Sequence, residues 1–242
     1  MQTDNVSRNY TGDAGRNYHE SKRAIPTAAF PWVARLRAEK VAPYVTERDV
    51  VLEYGVGYGW NLAELKCQRK IGFDVAEFLA PSLRERGIEF VKETGSIQAA
   101  SIDVVICHHT LEHVLHPAEM LAEMRRLLRT QGKLLLFVPF EKERRYRSFN
   151  STEPNHHLYS WNVQTLGNLL EAMGFTLVEG RVRRFGYDRF AATWSERFHL
   201  GEAGFRLLRS AIHILKPACE VRVAAVKTAP AVAAAPAISS TS

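Results

Sequence analysis

The stretch VVLEYGVGYGWN over residues 50–61 constrains this chain more than any other part. An apolar run beginning at Val50 reaches the acidic Glu53 and then breaks into Gly55, Gly57 and Gly59 at alternate positions. A short apolar run without polar alternation suits a parallel strand buried on both faces. Glycines at alternate positions let the backbone take positive φ and let a ligand approach the main chain without meeting a Cβ. The pattern predicts a strand, a tight turn and a helix over about 58–67, the place where open α/β sheets bind nucleotide-like ligands. Glu53, at the strand's carboxyl edge, is then an acceptor for hydrogen bonds from the bound molecule.

The rest of the chain repeats that alternation. Residues 1–26 are polar and are expected to form a mobile arm, and 27–45 carries Phe30, Val33, Leu36 and Val41 at roughly helical spacing, with Pro31 near its start and Pro43 near its end. Strands are expected over 50–54, 70–73, 89–92, 101–107, 133–138, 175–182 and 220–226. Helices are expected over 75–86, 117–129, 163–173 and 202–215. Gly87, Gly132 and Gly174 read as helix stops, Asn162 as an N-cap and Pro117 as a first helical residue. Met120, Leu121, Met124, Leu127 and Leu128 form an apolar stripe that reads as packing. Strands alternating with helices predict a doubly wound, mostly parallel sheet of seven strands whose last strand returns antiparallel. The domain spans 27–227 with a helical cap insertion at about 183–217, and the Ala/Pro/Ser-biased tail at 228–242 reads as disordered.

Composition narrows the partners. A chain of 242 residues, 46% hydrophobic, is long enough for one well-buried core. It contains no apolar run near the roughly 20 residues that span a bilayer, and its polar start lacks a signal-like stretch, so a cytoplasmic location without membrane attachment is expected. Cys67, Cys107 and Cys219 are odd in number and widely spaced, which argues against a disulfide framework and a structural zinc site. The formal charge of +6 is compatible with an anionic substrate or with nucleic acid.

With these residues in view, the chain resembles the class I S-adenosylmethionine-dependent methyltransferases, most closely the small type 11-like or type 23-like domains. The resemblance covers residues 50–226 and rests on four motifs in order. Glu53, Gly55, Gly57 and Gly59 match the family's first motif, and Asp74 matches the acidic residue that holds the ribose hydroxyls. Asp103, LEHV at 111–114 and Gly132 follow the register around the fourth and fifth strands, and 157–175 matches the entry into the last helix before strand six. The resemblance implies a Rossmann-like fold, S-adenosylmethionine as cofactor, and Glu53, Gly55, Gly57, Gly59, Asp74 and His108 as cofactor-binding residues. A dinucleotide site would need its third glycine one residue later and a pyrophosphate to face. Two departures stand out: His116 replaces the usual acidic residue before the helix proline, and ETGSIQAA at 93–100 lacks a clear adenine-holding acid.

Methyl transfer needs alignment and exclusion of water, and a general base where the acceptor keeps its proton. Histidines gather where the acceptor would lie: His108, His109 and His113 after the fourth strand, His156 and His157 in the loop before the helix at 163–173. His108 and His157 are the candidates for catalysis, while His113 reads as a turn contact. No metal site is expected, because no H-x-x-x-H pair lies on one predicted helix. Tyr159, Arg183 and Arg184 are candidate substrate contacts, with Arg181, Arg189 and the basic run at 142–147 on the same edge. The expected reaction is methylation at oxygen or nitrogen of a small, anionic metabolite. The alternatives are an RNA or protein methyltransferase, which the lack of an aromatic-basic RNA-binding module disfavours, and a non-catalytic cofactor-binding or interaction protein.

Overall fold

Residues 7–23, 25–141, 148–150, 153 and 155–228 are described by the computed structural model. The basic run at 142–147 and the tail from 229 onward lie outside the described residues. Strands β1 (Val50–Tyr54), β2 (Arg69–Phe73), β3 (Glu89–Val91), β4 (Ile102–His108), β5 (Leu128–Pro139), β6 (Phe175–Arg184) and β7 (Cys219–Lys227) form one sheet in the order β3-β2-β1-β4-β5-β7-β6. The first five pair in parallel, and β7 lies antiparallel to both β5 and β6, as the sequence predicts. Successive strands run outward from β1 on one side and from β4 on the other. Their carboxyl ends therefore open a crevice between β1 and β4, where such sheets hold ligands.

The helices are α1 (Gly12–Arg23), α2 (Phe30–Val41), α3 (Ala80–Glu85), α4 (Pro117–Leu127), α5 (Val163–Ala172), α6 (Asp188–Arg197) and α7 (Gly201–Leu215). The sheet is buried on both faces, which is why its central strands read as continuous apolar runs. One face sets Leu52, Val105, Leu134 and Leu136 against Leu121, Met124 and Leu127 of α4 and Leu166 and Leu170 of α5. The other sets Val51, Val104, Ile106 and Leu135 against Ala38 and Val41 of α2, Leu79 just before α3 and Leu83 within it. Each fully buried Leu or Met of the α4 stripe contributes about 1.5–3 kcal/mol. At the head of α5, Asn162 Oδ1 accepts from the Thr165 amide at 2.9 Å and the Thr165 hydroxyl faces back to the Asn162 amide, a capping box worth about 1 kcal/mol. His116 precedes α4 without a side-chain cap. Among the described residues, no helix is long and apolar enough to cross a membrane.

Four elements differ from the sequence reading. Where a mobile arm is expected, the chain forms α1, because Tyr10, Tyr18 and His19 pack edge-on against one another and His19 reaches Tyr58 and Phe78. The helix expected over 58–67 is a series of turns: the Asn61 side chain is drawn to Glu53, and Lys70 Nζ takes the Ala63 carbonyl that a continuing helix would use. The helix over 75–86 divides into a single 3-10 turn, Glu77–Leu79, and α3, because Pro81 suits only the first turn of a helix. Gly132 does not end α4. That helix stops at Leu127, Leu128 already pairs with Ile102, and the extra residues are absorbed in a bulge with Gln131 at φ +64°.

Gly59 takes φ +77°, and a Cβ there would come within 2.5 Å of Ile88 Cδ1 and 2.9 Å of Leu83 Cδ2. Gly87 takes φ +69° with nothing within 4 Å of a built Cβ. Gly59→Ala therefore meets both backbone strain and a crowded core and should cost about 2–4 kcal/mol, against about 1 kcal/mol for Gly87→Ala. Urea unfolding of the two variants checks this, and equal losses would refute the packing role.

Candidate functional site

The crevice is built by the turn after β1 meeting the turn after β4. Gly55, at φ +71°, lies against Thr110: a Cβ there would fall 2.2 Å from Thr110 Oγ1, and that hydroxyl donates to the Tyr54 carbonyl at 3.2 Å. Gly57, at φ +52°, has only His19 Cε1 among the described residues near a built Cβ, at 3.8 Å, so its backbone faces a cradle roofed by α1. Asp74, at the end of β2, is buried, and its two carboxylate oxygens accept from the amides of Gly57 (2.8 Å) and Ala76 (2.9 Å). Glu53 accepts from Asn61 through Oε1, while its buried Oε2 has no hydrogen-bond partner among the described residues. Burial pushes the Glu53 carboxyl up to about 8 against the lowering effect of Asn61. An orphaned buried acceptor, a carboxylate at the end of β2 and a Cβ-free cradle fit an aminoacyl nucleoside carrying donors of its own.

A cavity of about 190 Å³ lies beyond this crevice, lined by Ile25, Arg37, Trp60, His108, His109 and the residues 185–189 at the start of the cap. His108 ends β4, and His109 follows in the left-handed region at φ +53°, where non-glycine residues are uncommon. The two rings stack at 4.5 Å, and Phe185 packs on both. Behind them stands Glu220 of β7, 0% exposed. Its carboxylate meets His109 Nε2 at 3.2 Å, Lys40 Nζ at 3.3 Å and Arg222 Nε at 2.7 Å, with His108 Nε2 at 3.5 Å, the outer limit of a hydrogen bond. Burial raises the Glu220 pKa, but Lys40 and both histidines outweigh it and hold the carboxyl well below its usual range. Burial and the neighbouring Lys40 keep His108 well below the ordinary imidazole value, so it stays neutral. Burial also lowers Lys40, to about 8.

A second buried carboxylate attaches the cap. Asp188, the first residue of α6, accepts from Arg37 of α2 at 2.9 and 3.1 Å and from Arg209 of α7 at 2.7 Å. Burial raises its pKa, yet the two guanidiniums hold the carboxyl below the usual range. The Arg37 guanidinium lies over Trp60 at 5.1 Å and Phe185 at 5.4 Å. Ala191, Ala192 and Phe205 of the cap close a small core with Ala29 and Val33.

Of the residues singled out in the sequence, Glu53, Gly55, Gly57 and Asp74 gather at the crevice and His108 at the cavity. Gly59 packs toward Ile88 and Leu83. His157 lies apart from the cavity lining, with Nδ1 2.8 Å from Glu141 Oε1 and its ring edge-on to His113. Tyr159 donates to the Leu115 carbonyl at 2.9 Å and stacks on Trp161, bracing its loop. Arg183 lines a separate cavity of about 150 Å³ with Lys40 and Tyr44, and the exposed Arg184 lines neither cavity. Sequence reading missed the part of His109, which lines the cavity beside His108, together with Glu220, Arg37, Lys40 and Asp188. The only local signal was the doubled histidine; Arg37 and Lys40 lie 151 and 180 positions from the carboxylates they meet.

The chain matches the methyltransferase domain family over residues 22–180. It is 30% identical over 107 residues to a probable S-adenosylmethionine-dependent methyltransferase of Mycobacterium tuberculosis, a match covering 42% of this chain and 39% of the relative. The chain thus spans about two fifths of that relative's length. Among solved structures, a putative methyltransferase from Bacillus halodurans shares the fold at a TM-score of 0.56 and 17% identity, over 81% of this chain and 99% of the other. The cyclase SpnF shares it at a TM-score of 0.58 and 16% identity, over 81% of both chains.

The position of Glu53 predicts a pH dependence. Its folded pKa is raised, so its contribution to stability is present below pH 4.5 and is lost as pH rises through 8. Glu53→Gln removes that titration, while the opposing contribution of neutral His108 remains in both proteins. The melting temperature of Glu53→Gln minus that of the native chain should therefore grow between pH 5 and 8. A difference that stays flat across that range, measured by thermal melts in matched buffers, would overturn the assignment.

Proposed function

This chain belongs to the class I S-adenosylmethionine-dependent methyltransferase family, and on that premise we propose that it methylates an oxygen or nitrogen of a small, anionic metabolite. S-adenosylmethionine supplies a methyl group on a cationic sulfur, which leaves as a neutral thioether when the acceptor's lone pair takes the carbon. The residues suited to hold it are Asp74 for paired hydroxyls, Glu53 Oε2 for a cationic amine, and the backbone of Gly55 and Gly57 for close approach. A bound ammonium would lower the Glu53 pKa and keep its carboxylate ionised.

The observation that carries the acceptor reading is the charge around the cavity. Two buried carboxylates, Glu220 and Asp188, each face two cations: Lys40 and Arg222 for the first, Arg37 and Arg209 for the second. Each cluster therefore keeps an excess positive charge where solvent screening is weak. Arg37 of the second cluster lines the cavity together with Arg189, and an anionic group entering there can meet both, whereas Lys40 and Arg222 line the separate cavity of about 150 Å³. A volume of about 190 Å³ admits a small molecule.

His109 is suited to take the acceptor's proton. Glu220 accepts from Nε2–H, which leaves Nδ1 as the basic atom, and the carboxylate stabilises the imidazolium that forms. His108, held neutral, serves as the wall on which that ring stacks. Trp60, Phe185 and the cap exclude water from the same space.

Calorimetry with S-adenosylmethionine and with its demethylated product should show one site per chain. Asp74→Ala should weaken both about 10- to 100-fold, the loss of a charge-assisted contact. No binding of either at high protein concentration would sink the reading. In a labelled-methyl screen over metabolites and RNA, anionic small molecules should take the label, and His109→Gln should cut turnover about 10²- to 10⁴-fold with donor affinity unchanged. Labelling of RNA alone would replace the small-molecule acceptor.

A further inference from the structure

A second cluster of ligating side chains stands beside the cavity. Glu112 and His113, in the 3-10 turn Leu111–His113 after β4, meet His157 from the loop before α5, with one ligand atom of each within 4.8 Å of the others. We propose that Glu112, His113 and His157 hold a divalent first-row transition-metal ion, with Zn²⁺ as the reference ion. This goes beyond the methyl-transfer reading and does not depend on it.

The tautomers carry the argument. His157 Nδ1 lies 2.8 Å from Glu141 Oε1, and a carboxylate only accepts, so Nδ1 bears the proton and Nε2 the lone pair. The Tyr10 hydroxyl lies 2.9 Å from His113 Nδ1 and 3.4 Å from the Asn155 carbonyl, so with its proton turned to Asn155 its oxygen accepts from Nδ1. His113 Nε2 then carries a lone pair as well, and it faces Glu112 Oε1 at 3.8 Å. A nitrogen lone pair beside a carboxylate oxygen is an arrangement that a bound cation would stabilise. The outer partners, a carboxylate on one ring and a hydroxyl on the other, are those that orient metal-bound imidazoles.

The donor set selects the ion class. Two imidazoles and one carboxylate suit zinc, iron, cobalt or nickel better than calcium or magnesium. Zinc bonds of about 2.0–2.2 Å place tetrahedral ligands about 3.3 Å apart, which small side-chain rotations reach from the separations seen here. Three protein ligands leave a coordination position open. His108, His109 and Glu220 also lie within ligating distance of one another, but that carboxylate already meets Lys40 and Arg222, and two fixed cations would repel a third. Sequence reading set metal aside because the ligands come from two separated turns rather than one helix.

The test uses the full chain stripped with a chelator, then titrated with Co²⁺ and competed with Zn²⁺. One Co²⁺ per chain should bind with visible absorption bands that Zn²⁺ abolishes. His157→Ala and Glu112→Gln should remove the bands. Glu141→Gln and Tyr10→Phe, which leave all three ligands in place, should weaken binding about 10- to 100-fold, whereas His156→Ala should bind as the native chain does. The Glu141 and Tyr10 variants keep the proposal testable where Glu112→Gln fails to fold. Absence of stoichiometric binding at millimolar Co²⁺, or bands that survive both His157→Ala and Glu141→Gln, would overturn the site.

Discussion

The Glu220 carboxylate is the constraint around which the functional half of the molecule is arranged. A carboxylate removed from water costs several kcal/mol unless charges and hydrogen bonds replace its hydration. Its replacements come from three places: Lys40 on α2, Arg222 on β7 itself, and the histidine pair at the end of β4. Satisfying one buried charge therefore fixes the leading helix over the sheet and orients the two rings that wall the cavity. Lys40 shares the cost, since its own burial lowers its pKa to about 8 and makes the attachment sensitive to charge nearby.

Asp188 does the same for the cap. With Arg37 on α2 and Arg209 on α7, it binds the insertion to the helix that Lys40 already anchors. The two clusters meet through α2, because Arg37 and Lys40 lie one turn apart, and Phe185 packs under both cations. The cavity is thus framed by electrostatic necessity more than by apolar packing. Breaking either cluster by removing one partner would leave a charge buried without compensation, which is more damaging than removing both.

The sheet was legible because period and punctuation are local. Apolar runs at 50–54 and 102–107 name central strands, and Asn162, Pro117 and Gly174 mark helix ends within a few residues. The antiparallel final strand followed from the helical insertion before it. The glycine turn was legible as a site but not in its division of labour: Gly55 yields to Thr110, Gly57 to the cradle and Gly59 to Ile88 and Leu83. What stayed hidden depends on distant pairing. Nothing near Glu220 in sequence announces Lys40, and Arg183, an equally plausible contact in sequence, lines a different cavity. The helix α1 was hidden for the same reason, since its polar sequence folds where His19 finds Tyr58 and Phe78.

Sharing a sheet does not decide chemistry, as a neighbour named for a cyclisation and one named for methyl transfer both overlay this chain. The distinction must lie in what surrounds the reacting atoms. This cavity offers two arginines and a histidine backed by a buried carboxylate. Those features act on a charge and on a proton. The acceptor proposed above rests on those features, and the sheet alone supplies none of them.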